Sequence, residues 1–457
     1  MTMKEYEVVI VGGGINGCGL IRDLALNGVR TLMIDKGDFS AQTSAGSSKM
    51  LHGGIRYLEN YDFGLVQEAL EEKNLWLKLT PHLCFERAFY LPLYNYSKYP
   101  PFMLKTGLLL YDFLSHFQNR PHDMLSPKET IEKIPSLDPK GLKGAGKYYD
   151  GIVDDAKLSL ECLYDALLEP CAEALSYHEV TATKKVSDGY EVTYQSTINP
   201  QSVTVKAKYV VFTTGPFTDK LLPKLGIPWK PQLAPSKGIH LWLKEGAIEA
   251  KDSVVLTTKD NRVVFVIPQR NAILVGTTET PVDQDIFDIK ATEKDVTYLL
   301  NVLQQYFPNA TLDATSIIST FAGVRPLVRE ENNDESLGKV SRFHKIFRPD
   351  QRTYVLLGGK YTTFRRMTQE IAQELVPRLG RRYSPALTMN PLRQKSIMPT
   401  FGERPKLTLD MIKKIIATEH VTTFDDLVRR RLSILEEPHH LKDVMGVSLA
   451  DVKALFS

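Results

Sequence analysis

The sequence predicts an α/β protein: a discontinuous Rossmann-like dinucleotide-binding domain, a cap domain built on an antiparallel sheet, and a short helical C-terminal region. Three observations predict it. Within residues 5–35 an apolar strand runs into a glycine turn, a helix, and a second strand that ends in an acid. Two later strands, at 210–215 and 355–359, also end in glycine, so the chain leaves the nucleotide-binding pattern and returns to it twice. Between those returns, residues 231–330 alternate apolar and polar in the manner of a half-buried sheet.

The elements follow in order. Val8-Val9-Ile10-Val11 is a β-branched run without alternation, which suits a strand buried on both faces. A helix over 16–27 follows the glycines, with Gly28 as its stop, and a strand over 30–35 closes on Asp35. Residues 62–79 read as a helix with Val66, Ala69, Leu70, Trp76 and Leu77 on one face. Residues 85–125, rich in aromatics and prolines, depart from the nucleotide pattern. A helix capped by Asp154 or Asp155 runs toward Ala174. Strands at 179–183 and 190–195 flank a Ser187-Asp188-Gly189 turn, and the strand at 209–213 enters Thr214-Gly215-Pro216. Strands are expected at 240–243, 254–257, 263–267 and 273–276, a helix at 292–306, and a strand at 353–357 before a helix that opens at Thr362 or Thr363. From Leu407 the tail is helical in pieces: Ile412, Ile415 and Ile416 share a face, and Ser448 with Asp451 forms a capping box. The resulting division gives 1–80, 146–230 and 336–387 to the nucleotide-binding domain, 81–145 and 231–335 to the cap domain, and 388–457 to the C-terminal region.

A length of 457 residues suits two or three domains. A net charge of +3 excludes the strong basic field of a nucleic-acid binder. Cys18, Cys84, Cys162 and Cys171 lack ligand-like spacing, which points to no metal site, no disulfide framework and a reducing, cytoplasmic compartment. The first residues enter a strand directly and do not read as a signal peptide. The longest apolar stretch, 101–114, contains Lys105 and Asp112 and is shorter than the roughly 20 residues a bilayer span takes. Residues 99–117 suit either a helix lying in a bilayer interface or a buried helix of the cap domain. The run Arg429-Arg430-Arg431 suits either anionic lipid or an ordinary solvated helix face.

Gly12-x-Gly14-x-x-Gly17 has a mechanical reading. The first glycine makes the tight turn, the second lets a pyrophosphate approach the backbone, and the third lets helix and strand pack closely. The helix N-terminus then offers N–H groups to the phosphates, and Asp35 can accept from ribose hydroxyls. The split pattern suits a large flavin, FAD, whose ring system reaches a second domain, better than NAD.

At this point a family resemblance can be read. Val11-Gly12-Gly13-Gly14-Ile15-Asn16-Gly17, Ser47-Ser48-Lys49-Met50-Leu51-His52-Gly53-Gly54-Ile55-Arg56-Tyr57-Leu58-Glu59 and Val153-Asp154-Asp155-Ala156-Lys157-Leu158 carry its first half. Thr214-Gly215-Pro216, Ser236-Lys237-Gly238-Ile239-His240, Gly276-Thr277-Thr278, Ala322-Gly323-Val324-Arg325-Pro326-Leu327 and Gly358-Gly359-Lys360-Tyr361-Thr362-Thr363-Phe364-Arg365 carry its second. The chain resembles the FAD-dependent glycerol-3-phosphate dehydrogenases, within the wider group of flavin amine and amino-acid oxidases. Glu279 departs from the aspartate usual in the family, and the C-terminal helical region is shorter than is common there.

The resemblance implies oxidation of sn-glycerol 3-phosphate to dihydroxyacetone phosphate by hydride transfer from C2 to the flavin N5. Its electrons would pass to a membrane quinone, from a peripheral position on the cytoplasmic face of the inner membrane; a homodimer is compatible with it. Arg325 and Arg342 are assigned to the phosphate, because the planar guanidinium binds phosphate oxygens in pairs. Arg56, Tyr57 and Lys360 are assigned to the hydroxyl end of the substrate or to the flavin. His52 and His240 compete as the proton acceptor, and an arginine-polarised alkoxide needs neither. The cofactor-binding candidates are Gly12, Gly14, Ile15, Asn16, Gly17, Asp35, Lys36, Thr43, Ser44, Ser47, Ser48, Lys49, Leu51, His52, Gly53, Gly54, Val180, Thr214, Gly215, Gly359, Lys360, Thr362 and Thr363. Alternatives are an oxygen-using glycerophosphate oxidase, a 2-hydroxy-acid or amino-acid oxidase of the same architecture, and a flavin-binding protein without turnover.

Overall fold

The computed structural model describes residues 3–258, 260–269, 271–282, 286–329, 343–401, 405–433 and 446–456. In chain order its elements begin with β1 (Glu5–Val11), α1 (Ile15–Leu26), β2 (Thr31–Ile34), β3 (Met50–Leu51) and α2 (Phe63–Leu79). Next come β4 (Cys84–Tyr94), α3 (Pro101–Leu114), β5 (Asp123–Leu125), α4 (Pro127–Lys133) and β6 (Leu142–Val153). α5 (Asp155–Leu167), β7 (Ala172–Leu175), β8 (His178–Val186), β9 (Gly189–Ser196), β10 (Ser202–Phe212) and α6 (Thr218–Lys224) follow. Then stand β11 (Ser236–Lys244), β12 (Ser253–Thr257), β13 (Val263–Gln269), β14 (Ala272–Gly276), β15 (Thr280–Pro281), α7 (Glu293–Tyr306) and β16 (Ile317–Arg325). β17 (His344–Asp350), β18 (Thr353–Gly358), α8 (Phe364–Arg378) and α9 (Leu409–Thr418) complete the larger elements.

One sheet runs β17-β18-β10-β1-β2-β7, with the β8–β9 hairpin joined to β10. β1 pairs in parallel with β2 and β10, and β10 with β18, so three distant stretches of chain build one parallel centre. The unbroken apolar run of β1 serves both faces of this sheet. Val8 and Ile10 pack with α1, α5 and α8 through Leu20, Ile21, Leu163 and Ile371. Val9 and Val11 pack with the hairpin and α6 through Val180, Val192 and Leu222. Full burial of each such side chain stabilises by about 1.5–3 kcal/mol. α1 ends as its glycine requires: Gly28 adopts φ +74° and donates its N–H to Ala25 O, while Val29 donates to Leu24 O.

The second sheet runs β15-β11-β14-β13-β12-β4-β6-β3, with β16 on β11 and β5 on β6. Its pairings are antiparallel except where β12 meets β4. α7 packs Leu299, Val302 and Leu303 against one face, and α3 packs Leu108 and Tyr111 against another part of the sheet. β4 and β6 are strands that the sequence pattern does not single out. β6 carries this sheet to Val153, past residue 145, where the composition suggests a change of domain.

Three expectations need correction. The helix that begins after Asp154 stops at Leu167 and not near Ala174. Pro170 disfavours helical geometry at the residue before it, and the chain then pairs with β2 as β7. Residues 101–114 do not form a fully buried helix. Leu108, Tyr111 and Leu114 face inward, but Phe102 is 73% exposed and Phe113 62%. The run Arg429-Arg430-Arg431 is not a solvated or lipid-facing patch. Arg430 and Arg431 are buried and both bind Asp38, at 2.5 Å from Arg430 Nε and 2.9 Å from Arg431 Nη2. Arg430 also reaches Asp426 at 2.8 Å, and only Arg429 is exposed, paired with Asp425. These contacts join the C-terminal region, with its own small core of Met398, Ile412, Ile415 and Leu427, to the loop that follows β2. Among the described residues no helix is long and apolar enough to cross a membrane.

Candidate active site

The glycine turn is shaped by close backbone approach. Gly12 has φ +107°, and a Cβ there would lie 2.7 Å from Thr213 O. A Cβ on Gly17 would strike the carbonyl oxygen of Gly12, and one on Gly14 would lie 2.9 Å from Ser44 Oγ. Gly14 caps α1 without a side chain; Ile15 N donates to Ser44 Oγ at 2.9 Å, and Asn16 stands in the first turn. Asp35 accepts from Gly13 N at 2.6 Å and Gly37 N at 2.8 Å. Burial pushes its carboxyl up to about 6, against the pull of those two donors. Lys36 is exposed, 3.4 Å from Glu179 and 4.8 Å from the centre of the Phe287 ring. Val180 is buried on β8, and Thr214 pairs with Thr218 at 2.8 Å where Gly215 turns the chain at φ +50°. Bare glycine backbone at a helix start, with an acid at the end of the next strand, fits the pyrophosphate and ribose of a dinucleotide. Gly17→Ala is accordingly expected to give a protein that purifies colourless, read by its absorbance near the flavin band; a yellow variant would count against this cradle.

The segment from Thr43 to Gly54 follows the first sheet's β2 and includes β3, the end strand of the second sheet. Thr43 Oγ1 donates to Val324 O at 2.7 Å, and a Cβ on Gly323 would come within 2.6 Å of Gly46 O. Asp155, at the start of α5, accepts from Ser47 Oγ at 2.6 Å and from Lys49 Nζ at 2.5 Å. Ser48 Oγ shares a hydrogen bond of 2.9 Å with His240 Nε2. Leu51 is buried in β3, opposite Gly151. His52 N donates to Thr362 Oγ1 at 3.2 Å, which joins the histidine loop to the entry of α8. Thr362 and Thr363 are buried there, after Gly358 and Gly359, whose φ angles of +74° and +80° need glycine. Lys360 Nζ lies 3.9 Å from the centre of the Tyr57 ring and close to Gly54. Arg56 is exposed on the short turn Ile55–Asn60.

On the second sheet, His240 stands opposite Gly276 on one side and Phe321 on the other. Its ring stacks on Phe321 at 4.8 Å, and a Cβ on Gly276 would strike the imidazole. Arg325, at the end of β16, donates to Thr277 Oγ1 at 2.8 Å and to Thr278 O at 3.3 Å. Burial first, and then the nearby charges of Arg325 and Lys49, pull His240 down to about 3, so the ring is neutral near pH 7. Among the described residues, its Nδ1 has no hydrogen-bond partner. Arg342 lies outside the described residues. Among the described residues, no group of His, Cys, Asp or Glu is placed to hold a metal ion.

Four residues of the site are not among the candidates read from the sequence. Asp155 reads there as a helix cap within a motif of the family, and it pins Ser47 and Lys49. Thr277 and Thr278 orient Arg325; their position in the Gly276-Thr277-Thr278 motif was the available signal. Phe321 lies on a strand that none of the expected strands covers.

Fold and cradle together define an α/β protein built to bind a dinucleotide. The family described as FAD dependent oxidoreductase matches residues 7–358. The aerobic glycerol-3-phosphate dehydrogenase of Bacillus subtilis (strain 168) is 33% identical over 381 residues, covering 83% of this chain and 68% of that protein. The solved glycerol-3-phosphate dehydrogenase of Bacillus halodurans, complexed with FAD, superposes with TM-score 0.74 at 23% identity, over 99% of this chain and 91% of that one. The L-alpha-glycerophosphate oxidase of Mycoplasma pneumoniae shares the fold at TM-score 0.65 and 20% identity, over 82% and 95% of the two chains. The chain belongs to the FAD-dependent oxidoreductases, on the glycerol-3-phosphate dehydrogenase branch, and FAD is its cofactor.

Proposed function

We propose that the protein oxidises sn-glycerol 3-phosphate to dihydroxyacetone phosphate and passes the electrons to a membrane quinone. FAD, when bound, supplies the hydride acceptor for C2. The chain must then hold a phosphate dianion, receive the C2 hydroxyl proton and offset negative charge on the reduced cofactor. The observation that carries this reading is the placing of the Arg325 and Lys49 charges beside the Ser48–His240 pair, where β11 and β16 of the second sheet meet the loop that leads into β3. Arg325, oriented by Thr277 and Thr278, grips the phosphate. His240 and His52 are the candidate proton acceptors, and a bound dianion would ease protonation of the first by offsetting Arg325 and Lys49. Thr362 and Thr363 open α8, whose positive end suits charge that grows on reduction. Lys360 and Tyr57, with Arg56 beside them, flank the hydroxyl end.

The exposed Phe102, Met103, Leu109 and Phe113 of α3, with Lys105 among them, support peripheral contact with the membrane that holds the quinone. Anaerobic addition of sn-glycerol 3-phosphate is expected to bleach the flavin absorbance, and a soluble quinone analogue to restore it. A band that persists overturns the substrate. Faster recovery with oxygen, with one peroxide per product, overturns the quinone and selects the oxidase.

A further inference from the structure

Behind the histidine loop lies a buried polar group that no step above uses. Gly53 N donates to the Tyr111 hydroxyl at 2.9 Å and at the longer distance of 3.4 Å to Asp150 Oδ1, and that hydroxyl donates to Asp150 Oδ1 at 2.8 Å. Lys73 Nζ stands 3.9 Å from the same carboxylate and donates to Asn119 Oδ1 at 2.7 Å. Tyr111, Asp150 and Lys73 are each almost wholly buried. The approach is close: a Cβ on Gly53 would lie 2.6 Å from the Tyr111 oxygen and 2.5 Å from Leu70 Cγ. On the other side of the same stretch, the His52 N–H is held by Thr362. Burying a carboxylate, an ammonium and a phenol together costs desolvation that an apolar cluster would avoid. Burial pushes Asp150 up to about 6 and Lys73 down, as such a cost requires.

We propose that Tyr111 is a positioning residue: its hydroxyl fixes the peptide between His52 and Gly53, so that the inner face of α3 sets the histidine loop against the cofactor side of the site. The inference concerns the inner face of α3 and does not depend on what covers the outer one.

Tyr111→Phe removes only the hydroxyl and keeps the ring that packs edge-on against Tyr148 at 5.8 Å. In the holoenzyme it is expected to shift the visible band of bound FAD and to lower kcat about tenfold with KM within about twofold. That loss is smaller than the ~10²-fold of a 1 Å misplacement. Asp150→Asn keeps an acceptor for the hydroxyl, so band and kcat should stay within about twofold of the parent even as the denaturation midpoint falls. A parental band and kcat in Tyr111→Phe overturn the proposal. So do changes that follow the denaturation midpoint across both variants, or a Tyr111→Phe protein that does not fold, since either assigns Tyr111 to stability alone.

Discussion

Arg325→Ala should lower kcat/KM for sn-glycerol 3-phosphate by about 10²–10³-fold, roughly 3–4 kcal/mol, with FAD content unchanged. The guanidinium leaves β16 directed by two acceptors, Thr277 Oγ1 and Thr278 O, and it crosses Gly238, where any side chain would collide with it. Most of the loss is expected in KM, since the phosphate stays bound through the whole reaction. Arg325→Lys should recover little, because a point charge cannot reproduce the planar fork. The same loss removes one of the two cations that hold His240 down, so the imidazole should titrate at higher pH in the variant. Steady-state kinetics with a quinone analogue over a pH series read both effects. Parental KM and kcat would show that the phosphate is held elsewhere.

Asp38→Ala should destabilise the protein by about 3–5 kcal/mol, the usual cost of removing one partner of a buried ion pair. Arg431 is wholly buried, and without Asp38 its charge would be left chiefly to the carbonyl oxygens of Glu419 and His420. Arg430 keeps Asp426 and is expected to matter less. Denaturant midpoints measured at low and high salt test this. Screening weakens a surface pair but scarcely reaches this one, so the difference between parent and variant should persist at 1 M salt. An unchanged midpoint would overturn the assignment.

Local pattern carried the first 35 residues because everything there is decided within a few positions: β-branched run, glycine turn, helix, strand, acid. β4 was harder to read. Glu86, Arg87 and Pro92 interrupt its apolar positions, and it is held by pairing along nearly its whole length with β6. The three arginines at 429–431 show the same limit. A charge run is usually solvated, and the acid that buries two of them lies some 390 positions earlier in the chain. In the candidate site, the motifs located Ser48, His240, Arg325 and Thr362 singly. What spacing could not give is that Ser48 meets His240, or that Thr362 meets His52, because each pair joins segments far apart in the chain.

The order β18-β10-β1-β2 has a consequence for synthesis. When the ribosome has released the first 212 residues, β1 already has both its neighbours, yet β10 still shows an unpaired rim where β18 will dock. That rim stays open until residue 358 emerges, and Thr362 reaches the histidine loop only after that. The cofactor pocket is therefore finished late in translation, and nascent chains that stall before β18 expose a ready template for intermolecular pairing.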